Sequence, residues 1–367
     1  MENKTIPLFN RNNKEWLKNS NSLILGEPPA LVDSINRKHP TLFNIYKAQK
    51  AADWQENEVD LNKSLLDFNT CPDNIAKTMI ENIAFQWETD SIAANNMLAL
   101  LAPIITDSDF AHCVTKNTEI ERLHALTYSE IVKLGIPNGK NIFESILNNS
   151  FIKDRNDIVS EQLLKFKRYS YNYAIGNIEN NQVLYDESFL ALVSFYCLEQ
   201  LQFMSSFAHT FAIVDDGWFL GIGKLVQKIM QDEFYYHAAT MRYAIKTELY
   251  TDRGMECWAN KKEIINALVN SVLEREYLWN DYLYNISKPI LSKKIANSWS
   301  EYIAQDIYNV LLLDKPFTEH NYNPLPLMDK WLDLDLFQNA NQEGDNNNYS
   351  LNSCLDDIIE EKIYSYY

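Results

Sequence analysis

Two pairs of side chains in this sequence could bind metal ions. Glu121 is followed three residues later by His124, and Glu233 is followed four residues later by His237. At about 100° per residue, the members of each pair would lie about 60° and about 40° apart on one helix face. Carboxylate and imidazole groups together suit iron or manganese. Each pair alone is weak evidence, because such pairs more often form an ordinary contact on a helix surface.

Two further carboxylates interrupt long uncharged stretches. Glu199 is the sole charged residue in 188–214, and Asp90 is followed by the uncharged stretch 91–106. An ionised carboxylate among apolar residues is costly unless a cation compensates it, although protonation or a turn toward the surface would also relieve the cost. The order Asp, Glu with His, Glu, Glu with His along the chain predicts a dinuclear metal site supplied by four helices, as in ferritin-like proteins.

The elements that must position these residues are long helices. The 367 residues include 9 Gly and 11 Pro, under half of the roughly 12% that average usage gives, so turns should be few. From Pro72 to Asn285, apolar-periodic segments of about 20 to 30 residues alternate with short polar breaks. The breaks lie near 106–109, 135–140, 178–186, 215–223 and 251–254. Long helices with short connections predict an all-α, ferritin-like helical bundle with the dinuclear site in its core.

The composition argues against several classes of protein. A formal net charge of −17 disfavours binding to nucleic acid or to an anionic membrane. Five cysteines without a C-x-x-C spacing fit neither a disulfide framework nor a thiolate zinc site, which indicates a reducing compartment. The N-terminus lacks the pattern of a signal peptide, and no uncharged stretch reaches the ~18 residues of a membrane span. We therefore expect a cytoplasmic protein.

A change of composition near the C-terminus predicts two parts of the chain. Residues 1–337 are expected to form the helical domain, with 1–50 as an N-terminal extension. Residues 338–367 contain six acidic residues and one Lys and are rich in Asn. Such a segment buries too little apolar surface to fold alone, so we expect a flexible acidic tail.

Several segments, in order, resemble the small, radical-generating subunit of class I ribonucleotide reductase. The resemblance begins near Trp54 and extends over most of the chain. It rests on Trp54-Gln-Glu-Asn-Glu-Val-Asp60, Thr89-Asp90-Ser91-Ile92, Glu121-Arg-Leu-His124-Ala-Leu-Thr-Tyr128, Leu198-Glu199-Gln-Leu-Gln-Phe203-Met-Ser-Ser-Phe207, Asp232-Glu233 and Asn323-Pro-Leu-Pro326. The resemblance implies a homodimer whose metal site generates and stores a tyrosyl radical, which a large subunit uses to make deoxyribonucleotides.

The resemblance also implies a role for each matching residue. The two metals, with iron favoured and manganese compatible, would be held by Asp90, Glu121, His124, Glu199, Glu233 and His237. Tyr128 takes the place of the radical tyrosine. Its position four residues after His124, about 40° around the helix, independently favours a phenol directed toward the metals.

Other matched residues would shield the radical or carry it to the partner. Phe203, Phe207 and Ile229 match an apolar shell around the radical. Trp54 and Asp232, with His124, would pass an electron and a proton toward the large subunit. In the tail, Tyr349 would continue this relay with Glu343 nearby, and the residues after it would dock on the large subunit.

One spacing departs from the family, which most often has Glu-x-x-His where this chain has Glu233-Phe-Tyr-Tyr-His237. A π-bulge within 230–238 would absorb the extra residue, and we predict one there. The other histidines, His39, His112, His209 and His320, have no such Glu partner and are expected to be structural or exposed.

Two other functions remain open at this point. The chain could be a ferritin-like di-metal oxidase or desaturase that acts on its own small organic substrate. It could also be a non-catalytic helical or metal-storage protein, in which case Tyr128, Trp54 and Tyr349 match the family by coincidence.

Overall fold

The computed structural model describes residues 22–26, 32–136 and 139–334, and within these ranges most of the chain is helical. In order, the helices are α1 (Pro40–Ala51), α2 (Asn62–Thr70), α3 (Asp73–Leu101), α4 (Ser108–Gly135), α5 (Gly139–Asn148), α6 (Ser150–Ala174), α7 (Gln182–Cys197), α8 (Met204–Asp215), α9 (Leu220–Asp232), α10 (Ala239–Leu249), α11 (Asp252–Ser287), α12 (Lys293–Val310) and α13 (Leu327–Leu332). Two π-helical segments, π1 (Leu198–Phe203) and π2 (Glu233–Ala238), join α7 to α8 and α9 to α10. The all-α prediction is confirmed.

The predicted breaks coincide with helix boundaries, and polar side chains cap the helices that follow three of them. Asp107 accepts hydrogen bonds from two backbone N–H groups at the start of α4, and Asn181 accepts one at the start of α7. Thr251 does the same for α11. Because the first turn of a helix leaves its N–H groups without partners in the helix, an oxygen at this position stabilises the boundary.

Four long helical segments form the centre of the bundle. Helices α3 and α4 pack closely against each other, and the continuous helical segments 182–215 and 220–249 complete the group through contacts between π1 and π2. Helix α11 packs along α6, α7 and α12, and α1 packs on α4. Most apolar side chains between these helices belong to one large core, and a smaller cluster lies beside it, so the predicted metal ligands are carried on rigid elements.

The predicted division of the chain at residue 337 lies outside the described residues, as does the whole tail with Tyr349 and Glu343. Within the 1–50 stretch, helix α1 contributes Leu42 and Ile45 to the main core. No helix in the described ranges has the length and hydropathy needed to cross a membrane.

Candidate metal centre

The structure brings all six predicted metal ligands together in the middle of the bundle, and none of them is exposed to solvent. They form two overlapping groups, in each of which the potential ligand atoms lie within 4.8 Å of one another. The first group is Asp90, Glu121, His124 and Glu233, and the second is Glu121, Glu199, Glu233 and His237. Glu121 and Glu233 belong to both groups, so the arrangement is that of two adjacent sites with two shared carboxylates.

The π-helical segment π2 explains the unusual spacing of Glu233 and His237. Both residues lie in π2, and Nδ1 of His237 lies 2.9 Å from Oε2 of Glu233. The same nitrogen lies 2.9 Å from Oε1 of Glu121 on α4. The predicted π-bulge is therefore confirmed, and it places both side chains in the cluster despite the additional residue between them.

A second π-helical segment, π1, carries Glu199 and was not predicted. Its sequence, Leu-Glu-Gln-Leu-Gln-Phe, contains no Gly or Pro and is equally compatible with an α-helix. The isolated charge of Glu199 in an apolar stretch indicated that this carboxylate needs a cation, but it did not indicate how the backbone directs it inward.

The electrostatics of the cluster favour bound cations. Burial, and next the charge of Glu121, raise the pKa of Asp90 well above its ordinary value. Burial and then the charge of Glu233 do the same for Glu199, and the same two causes raise the pKa of Glu121 to about 7. Glu233 behaves differently, because His237 and His124 outweigh its burial and hold its pKa below the usual range. Ionising all four carboxylates in this dry site therefore requires additional positive charge.

Atoms without hydrogen bonds support the same interpretation. Both carboxylate oxygens of Asp90 and of Glu199 are buried without a hydrogen-bond partner within the described ranges, and so is Nε2 of His237. Buried polar atoms rarely lack partners unless an ion or water supplies one. Four carboxylates and two imidazoles form a donor set that suits two ions of iron or manganese. The cluster thus fits two metal ions.

A hydrogen-bonded carboxylate connects the cluster to a tryptophan. Asp232, the last residue of α9, lies beside His124, with 3.1 Å between Oδ2 of Asp232 and Nε2 of His124. Nε1 of Trp54 donates to the same oxygen at 2.7 Å, and the Trp54 and His124 rings stack with centroids 5.9 Å apart. This contact fixes the imidazole so that Nδ1 of His124 faces the cluster, 2.9 Å from Oε1 of Glu233.

The predicted radical tyrosine is enclosed on the inner face of α4. Tyr128 is fully buried, and its hydroxyl group has no hydrogen-bond partner in the described part of the chain. Burial and then the charges of Asp90, Glu233 and Glu121 raise the pKa of the phenol well above its ordinary value, so it stays protonated. Its side chain therefore lies within the electrostatic reach of the cluster.

The remaining predicted residues are placed as follows. Phe203, Phe207 and Ile229 are all fully buried, and the rings of Phe203 and Phe207 stack with centroids 5.9 Å apart. Tyr349 and Glu343 lie outside the described residues.

The other histidines require one correction. His39 and His209 are buried, as expected of structural histidines, but two of the four do contact carboxylates. His320 lies 2.6 Å from Glu301, and His112 lies 3.8 Å from Asp109. The sequence argument considered only a Glu three or four residues before each histidine, so it missed the Asp109 contact and the distant Glu301 contact. Neither histidine belongs to a group of three or more potential ligands in the part of the chain that the structure describes.

Comparison with known proteins agrees with this geometry. The family model described as "Ribonucleotide reductase, small chain" matches residues 32–324. The ribonucleoside-diphosphate reductase subunit beta of Buchnera aphidicola subsp. Schizaphis graminum is 26% identical, and the alignment covers 93% of this chain and 96% of the relative. The subunit beta of ribonucleoside-diphosphate reductase 1 from Salmonella typhimurium is 24% identical, with coverage of 93% and 94%.

Solved structures share the fold. The ribonucleotide reductase R2 subunit from Clostridium botulinum has a TM-score of 0.75 at 19% identity, covering 89% of this chain and 98% of its own. The dimanganese(II)-NrdF of Streptococcus sanguinis has a TM-score of 0.67 at 14% identity, with coverage of 83% and 99%. The predicted ferritin-like helical bundle is thereby confirmed.

Proposed function

This chain belongs to the ribonucleotide reductase small-chain family, and on that basis we propose that it is the radical-generating subunit of a class I ribonucleoside-diphosphate reductase. In this proposal Tyr128 is the residue on which a tyrosyl radical forms, and the protein stores that radical. A large subunit then uses the radical to make deoxyribonucleotides. The observation that carries the proposal is the position of Tyr128, whose buried phenol has no hydrogen-bond partner among the described residues and is under the influence of three cluster carboxylates.

We assign the six clustered residues as ligands of two metal ions. Asp90 and His124 would hold one ion and Glu199 and His237 the other, while Glu121 and Glu233 belong to both groups of potential ligands. Together with O₂ or an O₂-derived oxidant, which would take up the electrons, the two bound ions would supply the oxidising power for one-electron chemistry. We propose iron, and manganese suits the same donors equally well.

The side chains around the centre have separate tasks. Burial and the charges of Asp90, Glu233 and Glu121 favour the protonated form of the Tyr128 phenol, so the hydroxyl keeps its proton until the residue is oxidised. The fully buried position excludes water, which would otherwise quench a radical. Asp232 orients His124 and connects it to Trp54, and this set supports transfer of an electron and a proton between the centre and the protein surface.

The partners follow from the same proposal. We propose that the acidic tail docks on the large subunit, that Tyr349 continues the relay begun at Trp54, and that the chain acts as a homodimer. A cytoplasmic location is consistent with Cys71, Cys113, Cys197 and Cys257, which are free thiols.

Deletion of residues 338–367 tests the proposal against the two alternatives. We expect the shortened chain to keep its metals and its radical but to lose ribonucleotide reduction in the presence of the large subunit. An oxidase or desaturase that acts on its own substrate would keep its activity without the tail. Tyr349→Phe in the full-length chain separates loss of the relay from loss of docking. Full reductase activity of the shortened chain would contradict the proposed role of the tail.

A further inference from the structure

A buried arginine outside the metal centre is hydrogen-bonded to the backbone of π1. Nη2 of Arg155, on α6, donates to the carbonyl oxygen of Gln202 at 2.9 Å. A second hydrogen bond joins the same two residues in the opposite direction: Nε2 of Gln202 donates to the carbonyl oxygen of Arg155 at 2.8 Å. Gln202 lies in π1, three residues after Glu199. These two hydrogen bonds therefore anchor the segment that carries a predicted ligand.

Arg155 is itself held rigidly. Its Nε and Nη2 donate to the two carboxylate oxygens of Glu276 on α11, at 2.8 and 2.5 Å. The guanidinium group also lies over the ring of Phe85, 3.5 Å from the centroid, and 4.9 Å from that of Trp279. A paired, stacked guanidinium in a dry interior has one stable position, so it offers the carbonyl of Gln202 a fixed donor.

The shape of π1 determines where Glu199 points. A π-helical turn contains one residue more than an α-helical turn, and such turns are intrinsically unfavourable and need support. If π1 reverted to α-helix, the register on one side of it would shift by one residue, which rotates a side chain by about 100°. Glu199 would then turn away from Glu121, Glu233 and His237.

We propose that Arg155 is a positioning residue for the metal centre: by holding the Gln202 carbonyl oxygen, it keeps π1 in its π-helical form and Glu199 directed at the metal position shared with His237. We expect the effect to concern one of the two metal positions, since Asp90 and His124 lie on α3 and α4 and not on π1. This inference rests on the metal-binding part of the proposed function and is independent of radical formation.

The test is titration of the full-length protein with Mn²⁺, followed by equilibrium binding and electron paramagnetic resonance. The double variant Arg155→Met with Glu276→Leu removes the donor without leaving an unpaired buried charge, and such replacements usually preserve folding. We expect the circular dichroism spectrum of the native helical protein and one Mn²⁺ bound with the same Kd as in the wild type. The Kd of the second Mn²⁺ should rise by at least about tenfold, a typical effect of losing an outer support. The electron paramagnetic resonance spectrum should change from that of two magnetically coupled Mn²⁺ ions to that of a single Mn²⁺ ion.

A matched control is the pair Arg37 and Asp109. Nε of Arg37 lies 2.9 Å from the carboxylate of Asp109, and its guanidinium group lies 3.5 Å from the ring centroid of Phe43. Like Arg155, it combines a carboxylate partner with an aromatic ring under the guanidinium group, but none of its described hydrogen bonds reaches π1. Arg37→Met with Asp109→Leu should therefore retain both Mn²⁺ ions and their coupling.

Arg155→Lys is the second variant, because one ammonium group cannot reproduce both the paired contact with Glu276 and the bond to Gln202. It should weaken the second Mn²⁺ alone, by less than the double variant does. Two Mn²⁺ ions bound with wild-type affinity and coupling in the folded double variant would overturn the proposal, and so would equal weakening of both ions. If the double variant does not fold, the same outcomes in Arg155→Lys decide. Failure of the wild type to bind two Mn²⁺ ions would instead contradict the proposed function.

Discussion

Oδ2 of Asp232 accepts a hydrogen bond from Nε1 of Trp54 at 2.7 Å, and both side chains are almost completely buried. Because the same oxygen lies 3.1 Å from Nε2 of His124, a single carboxylate joins an indole to an imidazole of the metal cluster. Trp54 keeps 6% of its surface exposed, which places it between the cluster and the outside of the protein. This connection is the part of the structure that a relay toward a partner subunit requires.

Asp232→Asn should separate the relay from the metal centre. The amide is nearly the same size and can still accept from Trp54, but it cannot take up a proton or offer His124 a carboxylate acceptor. We expect activity with the large subunit to fall by about 10- to 100-fold, while metal content and radical yield change little. Metal analysis, electron paramagnetic resonance and turnover on the same preparation measure the three quantities.

Trp54→Phe tests the tryptophan end of the same connection, and Trp258→Phe is its control. Trp258 also donates an indole hydrogen bond, to the carbonyl oxygen of Leu311 at 2.8 Å, but none of its described contacts involves the cluster. Trp54→Phe should lose turnover and Trp258→Phe should retain it. For Asp232→Asn, a loss of metal that parallels the loss of activity would contradict a role in the relay. It would show that Asp232 only holds the ligand His124 in place.

Removal of individual ligands should distinguish shared from unshared carboxylates. Glu233 belongs to both groups of potential ligands, whereas Asp90 and Glu199 each belong to one. We expect Glu233→Ala to lose both metals, and Asp90→Ala and Glu199→Ala each to retain one. Metal content per chain after gel filtration gives the answer. Equal stoichiometries in all three variants would refute the assignment of a shared carboxylate.

Much of the centre could be predicted because its ligands lie at short, regular intervals along helices. The pairs at Glu121 and Glu233 and the isolated charges of Asp90 and Glu199 were visible in the sequence, and the spacing to His237 even indicated the π-helical segment π2. Local sequence carries this information because helix geometry converts spacing directly into direction.

The support for π1 could not be predicted in the same way. Arg155 and Glu276 are 121 residues apart in the chain, and Arg155 lies on a helix with many charged residues, most of which face solvent. Nothing in the local sequence pattern distinguishes Arg155, which is buried, from the other charged residues of this helix. Only the packing of α6 against α3, α7 and α11 shows which face is enclosed and which carbonyl group it meets.

A buried histidine should make stability depend on pH. His209 on α8 is 2% exposed, and its Nε2 lies 2.8 Å from Oδ1 of Asn280. Burial lowers the pKa of His209 to about 4, from an ordinary value near 6.5. The unfolded chain therefore takes up a proton more readily, so the stabilisation is complete above pH 6.5 and is lost as the pH falls toward 4.

His209→Gln isolates this effect from other acid-sensitive groups, because the amide of Gln can also hydrogen-bond to Asn280 without titrating. Between pH 7 and pH 4.5, the free energy of unfolding of the wild type should fall by about 2–3 kcal/mol more than that of the variant. Urea unfolding at the two pH values measures the difference. Parallel losses in the two proteins would be inconsistent with a neutral, buried His209.

The most direct measurement of the central claim is electron paramagnetic resonance of the wild type and of Tyr128→Phe after anaerobic metal loading and exposure to air. Because the Tyr128 hydroxyl has no hydrogen-bond partner in the described ranges, its removal should change the free energy of unfolding by less than about 1 kcal/mol and leave two metals bound. We predict a tyrosyl radical signal in the wild type and none in the variant, with loss of ribonucleotide reduction. The same radical signal, or full reductase activity with the large subunit, in a metal-loaded Tyr128→Phe protein would contradict the account.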